Sequence, residues 1–418
     1  MIKLLTLSLA LMASLSLSAK DYVITRHGVK ADSTLLNTCA IQKVIDKAHA
    51  KGGGTIVVPK GVFLTGALFF KPGTRLKLLE GAVIKGSDTI ADYPLMASRM
   101  EGKNLDYFAA LINATHVNGF SITGPGTIDG NGYKFWDQFW ARREEGRRQG
   151  RTVTNLEVYR PRLIFIWGCD SVTLRDVKLR NAGFWTTHLY QCNDVLIEGC
   201  DIRSPFKPVK APSTDGIDLD VCKRVTIRNC YISVNDDGVC IKGGKGPLAH
   251  TLPENGIVED VLIENCTFGQ SHGTLTLGSE CIHARNITLR NCVMQNTCPV
   301  LRLKMRPDTH QTFENITIEN ITGNSGPLIE MRPWKQFFDL EGTTDQPKAT
   351  VRNIVMSNIH VTATYFGEMA GNAHDTVSDI VFRNITVHSP GQGMKCLYPD
   401  AVTLENVTEN GEALKLVP

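Results

Sequence analysis

A six-residue kernel, apolar-x-apolar-x-Asn-apolar, recurs from residue 172 onward and restricts the fold more than any other feature of the chain. It occurs as Val172–Val177, Val195–Cys200, Val225–Cys230, Val261–Cys266 and Ile287–Cys292. It returns as Ile316–Ile321, Ile354–Ile359, Ile380–Ile385 and Val402–Val407. The tightest spacings are 22 residues, from Ile380 to Val402, and 23 residues, from Val172 to Val195. Wider spacings carry Gly- and Pro-rich inserts. A period of this size, made of short strands, predicts a parallel β-solenoid. Its coils stack about 4.8 Å apart, so every kernel buries its apolar positions against those of the next. The Asn is expected at a tight corner, in the left-handed backbone conformation that Asn tolerates best after Gly. Gly199 in one copy obeys the same rule, Asp176 stands there in another, and stacked Asn amides are expected to bond from coil to coil.

A length of 418 residues would ordinarily suggest two or three domains, but a solenoid escapes that estimate, and a single all-β domain over 20–418 is expected. Residues 1–19 read as a signal peptide: Lys3 supplies the positive end, and the apolar run Leu4–Leu17 is too short to span a membrane. Export to the periplasm or beyond is therefore expected. Thr38–Ala50 predicts an amphipathic helix at the N-terminal end, because Ile41, Val44, Ile45 and Ala48 fall at helical spacing and Gly52-Gly53-Gly54 stops it. A second helical candidate is the insertion at 133–150, rich in Trp136, Trp140, Arg142, Arg143, Arg147 and Arg148. Net charge is +3 without runs of like sign, which points away from nucleic-acid and membrane partners.

Twelve cysteines invite a disulfide framework. However, Cys200, Cys230, Cys266 and Cys292 share one kernel position, held elsewhere by Val177, Ile321, Ile359, Ile385 and Val407. They are expected to be buried thiols acting as small hydrophobes, and parallel in-register stacking suits disulfide geometry poorly. No Cys-x-x-Cys or Cys/His spacing suggests a metal. The Asn-x-Thr sequences at Asn265, Asn286, Asn315, Asn320, Asn384 and Asn406 arise where a turn Asn precedes a strand Thr, and are not read as glycosylation sites.

Four polar clusters interrupt this pattern in order: Ser213-Thr214-Asp215-Gly216, Asn235-Asp236-Asp237, Ser271-His272-Gly273 and Arg302-Leu303-Lys304. Each adjoins or lies in a short alternating run whose apolar pair is expected to face inward: Ile217/Leu219, Val239/Ile241, Leu275/Leu277 and Leu301/Leu303. Their neighbours Asp218, Asp220, Lys242, Thr276, Arg302 and Lys304 then face outward. Stacked coils would bring Asp215, Asp236, Asp237, His272, Lys242, Arg302 and Lys304 together. Two carboxyl groups flanking a bond are what acid-catalysed glycoside cleavage needs, with about 6.5–9.5 Å between them when a water must fit. Like-charge repulsion between Asp236 and Asp237 is expected to raise one of them into a proton donor, with His272 tuning it. Arg302 and Lys304 suit a negative group on the substrate, and Lys242 is grouped with them.

With these motifs the sequence resembles the polygalacturonases, family 28 of the glycoside hydrolases. That family carries Asn-Thr-Asp, Asp-Asp, His-Gly and Arg-Ile-Lys in this order on a right-handed parallel β-helix. Ser213 stands here for the family's Asn, and Leu303 for its Ile. The resemblance extends to Ala40-Ile41-Gln42-Lys43, Gly52–Pro59 and Arg160-Pro161-Arg162-Leu163-Ile164. It implies Asp236 as general acid, Asp215 and Asp237 as activators of water, His272 as support, and Arg302 and Lys304 as holders of a galacturonate carboxylate. It also implies a monomer cleaving pectic polymers or oligomers without cofactor or metal. The insertion at 133–151 would wall off one end of the cleft and favour attack at chain ends, on α-1,4-galacturonosyl bonds. A galacturonosyl–rhamnose bond would be served by the same machinery. Two rivals share the solenoid: a calcium-dependent pectate lyase, excluded by chelator-insensitive activity without unsaturated product, and a non-catalytic binding solenoid, which would not need the four clusters.

Overall fold

The computed structural model describes residues 20–295, 298–391 and 393–418, so the leader expected at 1–19 lies outside the described residues. The chain winds into the expected right-handed parallel β-helix. Kernel strands pair in parallel and in register: Val195 with Val225, Val225 with Val261, Val261 with Ile287, and onward to Ile380 with Val402. Their apolar side chains fill the lumen from coil to coil in one continuous core. Each fully buried Val, Leu or Ile contributes about 1.5–3 kcal/mol relative to exposure, and no helix is needed to cover the inner face.

The corner prediction holds in backbone angles. Asn229, Asn265, Asn291, Asn320, Asn358, Asn384 and Asn406 have φ between 53° and 56°, while Asp176 and Gly199 take 59° and 63°. The amides form ladders as expected: Asn320 Nδ2 donates to Asn291 Oδ1 at 2.9 Å, and Asn406 Nδ2 to Asn384 Oδ1 at 3.1 Å. A second corner column, at Asn286, Asn315 and Asn353, is laddered in the same way. Cys200, Cys230, Cys266 and Cys292 are free thiols and all four are buried, so the thiol column packs as hydrophobe. On the outer face of the kernel sheet, signs alternate in register: Arg175 and Arg228 flank Glu198, at 2.8 and 2.7 Å.

Helix α1, Thr38–Ala50, sets its buried face of Ile41, Val44, Ile45 and Ala48 on the N-terminal coils. Helix α2, Tyr133–Arg148, occupies the insertion. Trp136 is fully buried and its Nε1 bonds the Ala182 carbonyl at 3.0 Å. Among the described residues no helix is long and apolar enough to cross a membrane.

Candidate active site

The site lies on the sheet in which the strands Thr187–Tyr190, Ile217–Asp220, Val239–Lys242, Leu275–Leu277, Leu301–Met305 and Ile329–Pro333 stack in parallel. The apolar pairs predicted to face inward are all buried in the lumen. Register then fixes the outer face. Asp218, Cys240, Thr276, Arg302 and Glu330 form one row, and Lys242 follows Asp220 in the next. The turns before the strands stack too. Gly216 N–H bonds the Asp237 carbonyl at 2.9 Å, and Gly238 N–H bonds the Gly273 carbonyl at 2.7 Å. Four clusters scattered over the sequence thus line one cleft of about 570 Å³, with Asp215, Asp236, Asp237, Lys242, His272, Arg302 and Lys304 all on its wall.

Ser213 adopts φ 55°, the left-handed region, which explains why an Asn would serve at this position equally well. The loop before Asp215 is held by Arg160, whose guanidinium is sandwiched between the rings of Phe139 and Phe184, each at 4.2 Å, and donates to the Pro212 carbonyl at 2.7 Å. Helix α2 brings Phe139, Trp140 and Arg143 to the cleft wall. Trp140 Nε1 bonds the Lys210 carbonyl at 2.7 Å, fixing the loop opposite.

Each functional side chain is already engaged. Lys304 Nζ donates to Asp237 Oδ2 at 2.6 Å, and Thr276 Oγ1 donates to Asp237 Oδ1 at 2.9 Å. Arg302 lies 3.7 Å from Asp237, donates to the His272 carbonyl at 3.2 Å, and is tethered by Glu330 at 2.8 Å. The Trp334 ring covers both cations, 5.3 Å from the Arg302 guanidinium and 4.8 Å from Lys304 Nζ. His272 Nδ1 is 3.3 Å from Asp236 Oδ1, and the Lys210 ammonium is 3.4 Å from Nε2. An ammonium only donates, so that contact leaves the Nδ1 proton facing Asp236.

Two expectations change. The outward row is not open to solvent. Asp218 and Asp220 are fully buried and Lys242 is 3% exposed, because a hairpin of Leu95–Met100 and Lys103–Phe108 helps roof the early coils. Arg99 on that hairpin bonds Asp220 at 2.9 Å, 121 residues away. The raised carboxyl is also not the expected one. Burial pushes Asp236 up, but His272, Lys304 and Lys242 more than reverse this and leave it at about 2. Asp215 instead is pushed well up, by burial first and then by Asp218, Asp236 and Asp237. The local reading missed Asp218, Glu280, Trp185, Lys210 and Trp334, none of which belongs to a recognisable motif.

Asp215, Asp237 and Cys240 bring ligand atoms within 4.8 Å of one another. They do not fit a metal ion. Burial holds the Cys240 thiol protonated, it donates to the Gly278 carbonyl at 3.0 Å, and ammonium groups already sit against both carboxylates.

Three carboxylates, each within reach of a basic side chain, on the outer wall of a β-helix form a site suited to acid–base cleavage of a glycosidic bond. The wider comparison places the chain accordingly. It belongs to the glycosyl hydrolases family 28, whose model matches residues 50–408, and it is a glycoside hydrolase. A probable polygalacturonase of Vitis vinifera is 26% identical over 92% of this chain and 77% of its own length. An endo-polygalacturonase of Pectobacterium carotovorum subsp. carotovorum is 27% identical over 91% of this chain and 85% of its own. Among solved structures, the exopolygalacturonase of Thermotoga maritima shares the fold with a TM-score of 0.75 and 24% identity, covering 94% of this chain and 92% of that one.

Proposed function

We propose that this enzyme hydrolyses α-1,4-galacturonosyl bonds of pectin with inversion, attacking the ends of oligogalacturonides, as an exported, metal-independent monomer. The observation that carries the reading is the pairing of Arg302 and Lys304 with Asp237 under Trp334. It puts two cations beside the catalytic carboxylates, where a sugar carboxylate would lie. The relatives' names, polygalacturonase among them, agree with that substrate class.

Asp236 gives its proton to the leaving oxygen while Asp215 and Asp237 take one from the attacking water. In the free enzyme His272, Lys304 and Lys242 hold Asp236 at about 2, on the ionised side. An entering galacturonate displaces water and draws on Lys304 and Arg302, and both changes favour the protonated acid that the step needs. Chain-end attack is supported by helix α2 and the Lys210 loop, which add Phe139, Trp140 and Arg143 to the wall. The poor fit of the carboxylates to a metal argues against the calcium-dependent lyase.

The test is a product time course on polygalacturonate and on rhamnogalacturonan, with EDTA present and Asp236→Asn as control. Monomeric galacturonate in the first minutes supports chain-end hydrolysis. A ladder of oligomers refutes it and shows an open cleft. Release from rhamnogalacturonan alone moves the linkage to the galacturonosyl–rhamnose bond. A folded protein that releases nothing from either polymer returns the binding solenoid.

A further inference from the structure

The carboxylates around the cleft have partners of their own except in a single cluster. Asp236 faces the Nδ1 proton of His272 at 3.3 Å, Asp237 has Lys304 at 2.6 Å, and Asp220 has Arg99 at 2.9 Å. Lys242 alone must serve three carboxylates: Nζ is 3.2 Å from Glu280, 3.3 Å from Asp218 and 3.7 Å from Asp215. The Trp185 ring closes over that ammonium at 4.3 Å. Asp218 is fully buried, and neither of its oxygens has a hydrogen-bond partner among the described residues, because Lys242 approaches off the bonding angle. A buried carboxylate without a hydrogen bond is costly to keep ionised.

The remaining neighbours supply no second charge. His188, in register with Asp218 on the preceding strand, accepts from Arg162 at Nδ1 and is held neutral. Cys240, in register on the following strand, is held as a thiol. Arg162 makes no ion pair among the described residues, and Asp237 adds only negative charge. Glu280 stays ionised because, against its burial, Lys242, Lys245 and Ser279 hold it well below the usual range. One proton must therefore remain with Asp215 and Asp218.

We propose that Asp218 is a positioning residue that shares a single proton with Asp215 across the Lys242 clamp. Burial pushes up both members of the pair, Asp215 the more, so the single proton is shared, and its transfer to Asp218, which does not line the cleft, frees Asp215 as an ionised base facing the water. In the reaction the water O–H bond breaks, its proton passes to Asp215, and its oxygen forms the new bond to the anomeric carbon. The glycosidic bond between the anomeric carbon and the leaving oxygen breaks, and that oxygen takes the proton of Asp236. Asp215 then releases the gained proton to solvent and Asp236 takes one up, so the Asp218 proton is not consumed. Lys242, grouped with the substrate-binding cations by its sequence position, acts on this view through Asp215 and Asp218.

The proposal rests on Asp215 as a water-activating carboxylate, and its test separates the two. Burial pushes Asp218 up to about 7, against Lys242 and Asp215. Infrared difference spectra of the free enzyme at about pH 6 should show a protonated-carboxyl band that titrates near neutrality. The band should vanish in Asp218→Asn and persist in Asp236→Asn. Asp218→Asn keeps the shape and donor of the protonated group. It should keep kcat within about tenfold and KM unchanged, and lose the decline of kcat/KM near neutral pH, while Asp218→Ala loses more than tenfold in kcat. Absence of the band, or an inactive Asp218→Asn that folds and binds oligogalacturonide normally, overturns the proposal. An unaltered pH profile in Asp218→Asn overturns it too. A band that behaves as described in an enzyme inert on pectic polymers sinks the substrate reading instead and leaves the shared proton standing.

Discussion

Replacing Lys304 with Met tests the electrostatics of the cleft most directly. Met matches the buried length of the side chain and removes only the ammonium, which lies 2.6 Å from Asp237 Oδ2 and helps hold Asp236 down. For charge centres about 4 Å apart at an effective dielectric of about 20, such a pair is worth about 4 kcal/mol, or roughly three pKa units. Arg302 remains 3.7 Å from Asp237 and compensates in part, so a shift of about one to two units is expected. The sign follows from removing a cation: the carboxylates become easier to protonate, their pKa values rise, and the acid limb of kcat/KM moves to higher pH. A charged hydrogen bond to the substrate carboxylate is also lost. At about 1.5–3 kcal/mol this lowers kcat/KM on the plateau roughly ten- to hundredfold. The assay is kcat/KM on a defined oligogalacturonide from about pH 3 to about pH 8, with Lys304→Arg retaining the charge. An acid limb that stays in place or moves down refutes the reasoning, as does an equal shift in the Arg variant.

Asn320 has φ 56° and donates to Asn291 at 2.9 Å. Asn320→Ala should lower the unfolding free energy in urea by about 2–3 kcal/mol, and Asn320→Gly by about 1; equal losses would mean that backbone handedness is not what the corner selects. Burial, opposed by Asp220 and aided by Arg162, depresses His188 to about 3. Between there and its ordinary value the unfolded chain takes up a proton that the folded one refuses, so stability falls as pH drops through this window. From pH 7 to pH 5 that amounts to about 2 kcal/mol, and a denaturation series on His188→Gln should lack this component. Trp140→Ala frees the Lys210 loop and should convert an early monomer product into mixed oligomers; an unchanged product pattern removes helix α2 from the end-closing role.

What could be read from the sequence was what repeats. The corner Asn and the apolar pairs recur at fixed phase, so parallel stacking, the buried thiols and the meeting of Asp215, Asp236, Asp237, His272, Arg302 and Lys304 follow from local pattern. What could not be read depends on segments outside the period. Asp218 and Asp220 look like solvent-facing strand residues until the hairpin carrying Arg99 covers them. Glu280 sits in a Gly-Ser-Glu turn that no motif marks, and only the stacking of the coils brings Lys242 to it. The pKa order failed for the same reason: adjacency in sequence suggested repulsion between Asp236 and Asp237, whereas each has its own partner, His272 and Lys304, and Asp215 shares one.

The roofing hairpin has a mechanical consequence. A stack of coils in which each touches only its neighbours can unzip from either end, one coil at a time. Here the hairpin ties distant coils together, through Arg99 to Asp220 and through Lys103 to Glu341, which lie 121 and 238 residues apart. These cross-ties work like stitches across a spring. Under force or heat the terminal coils are free to peel, while those carrying the cleft must break several contacts at once. With the buried Arg99–Asp220 pair as the stronger stitch, the coils that carry the cleft are expected to unravel last.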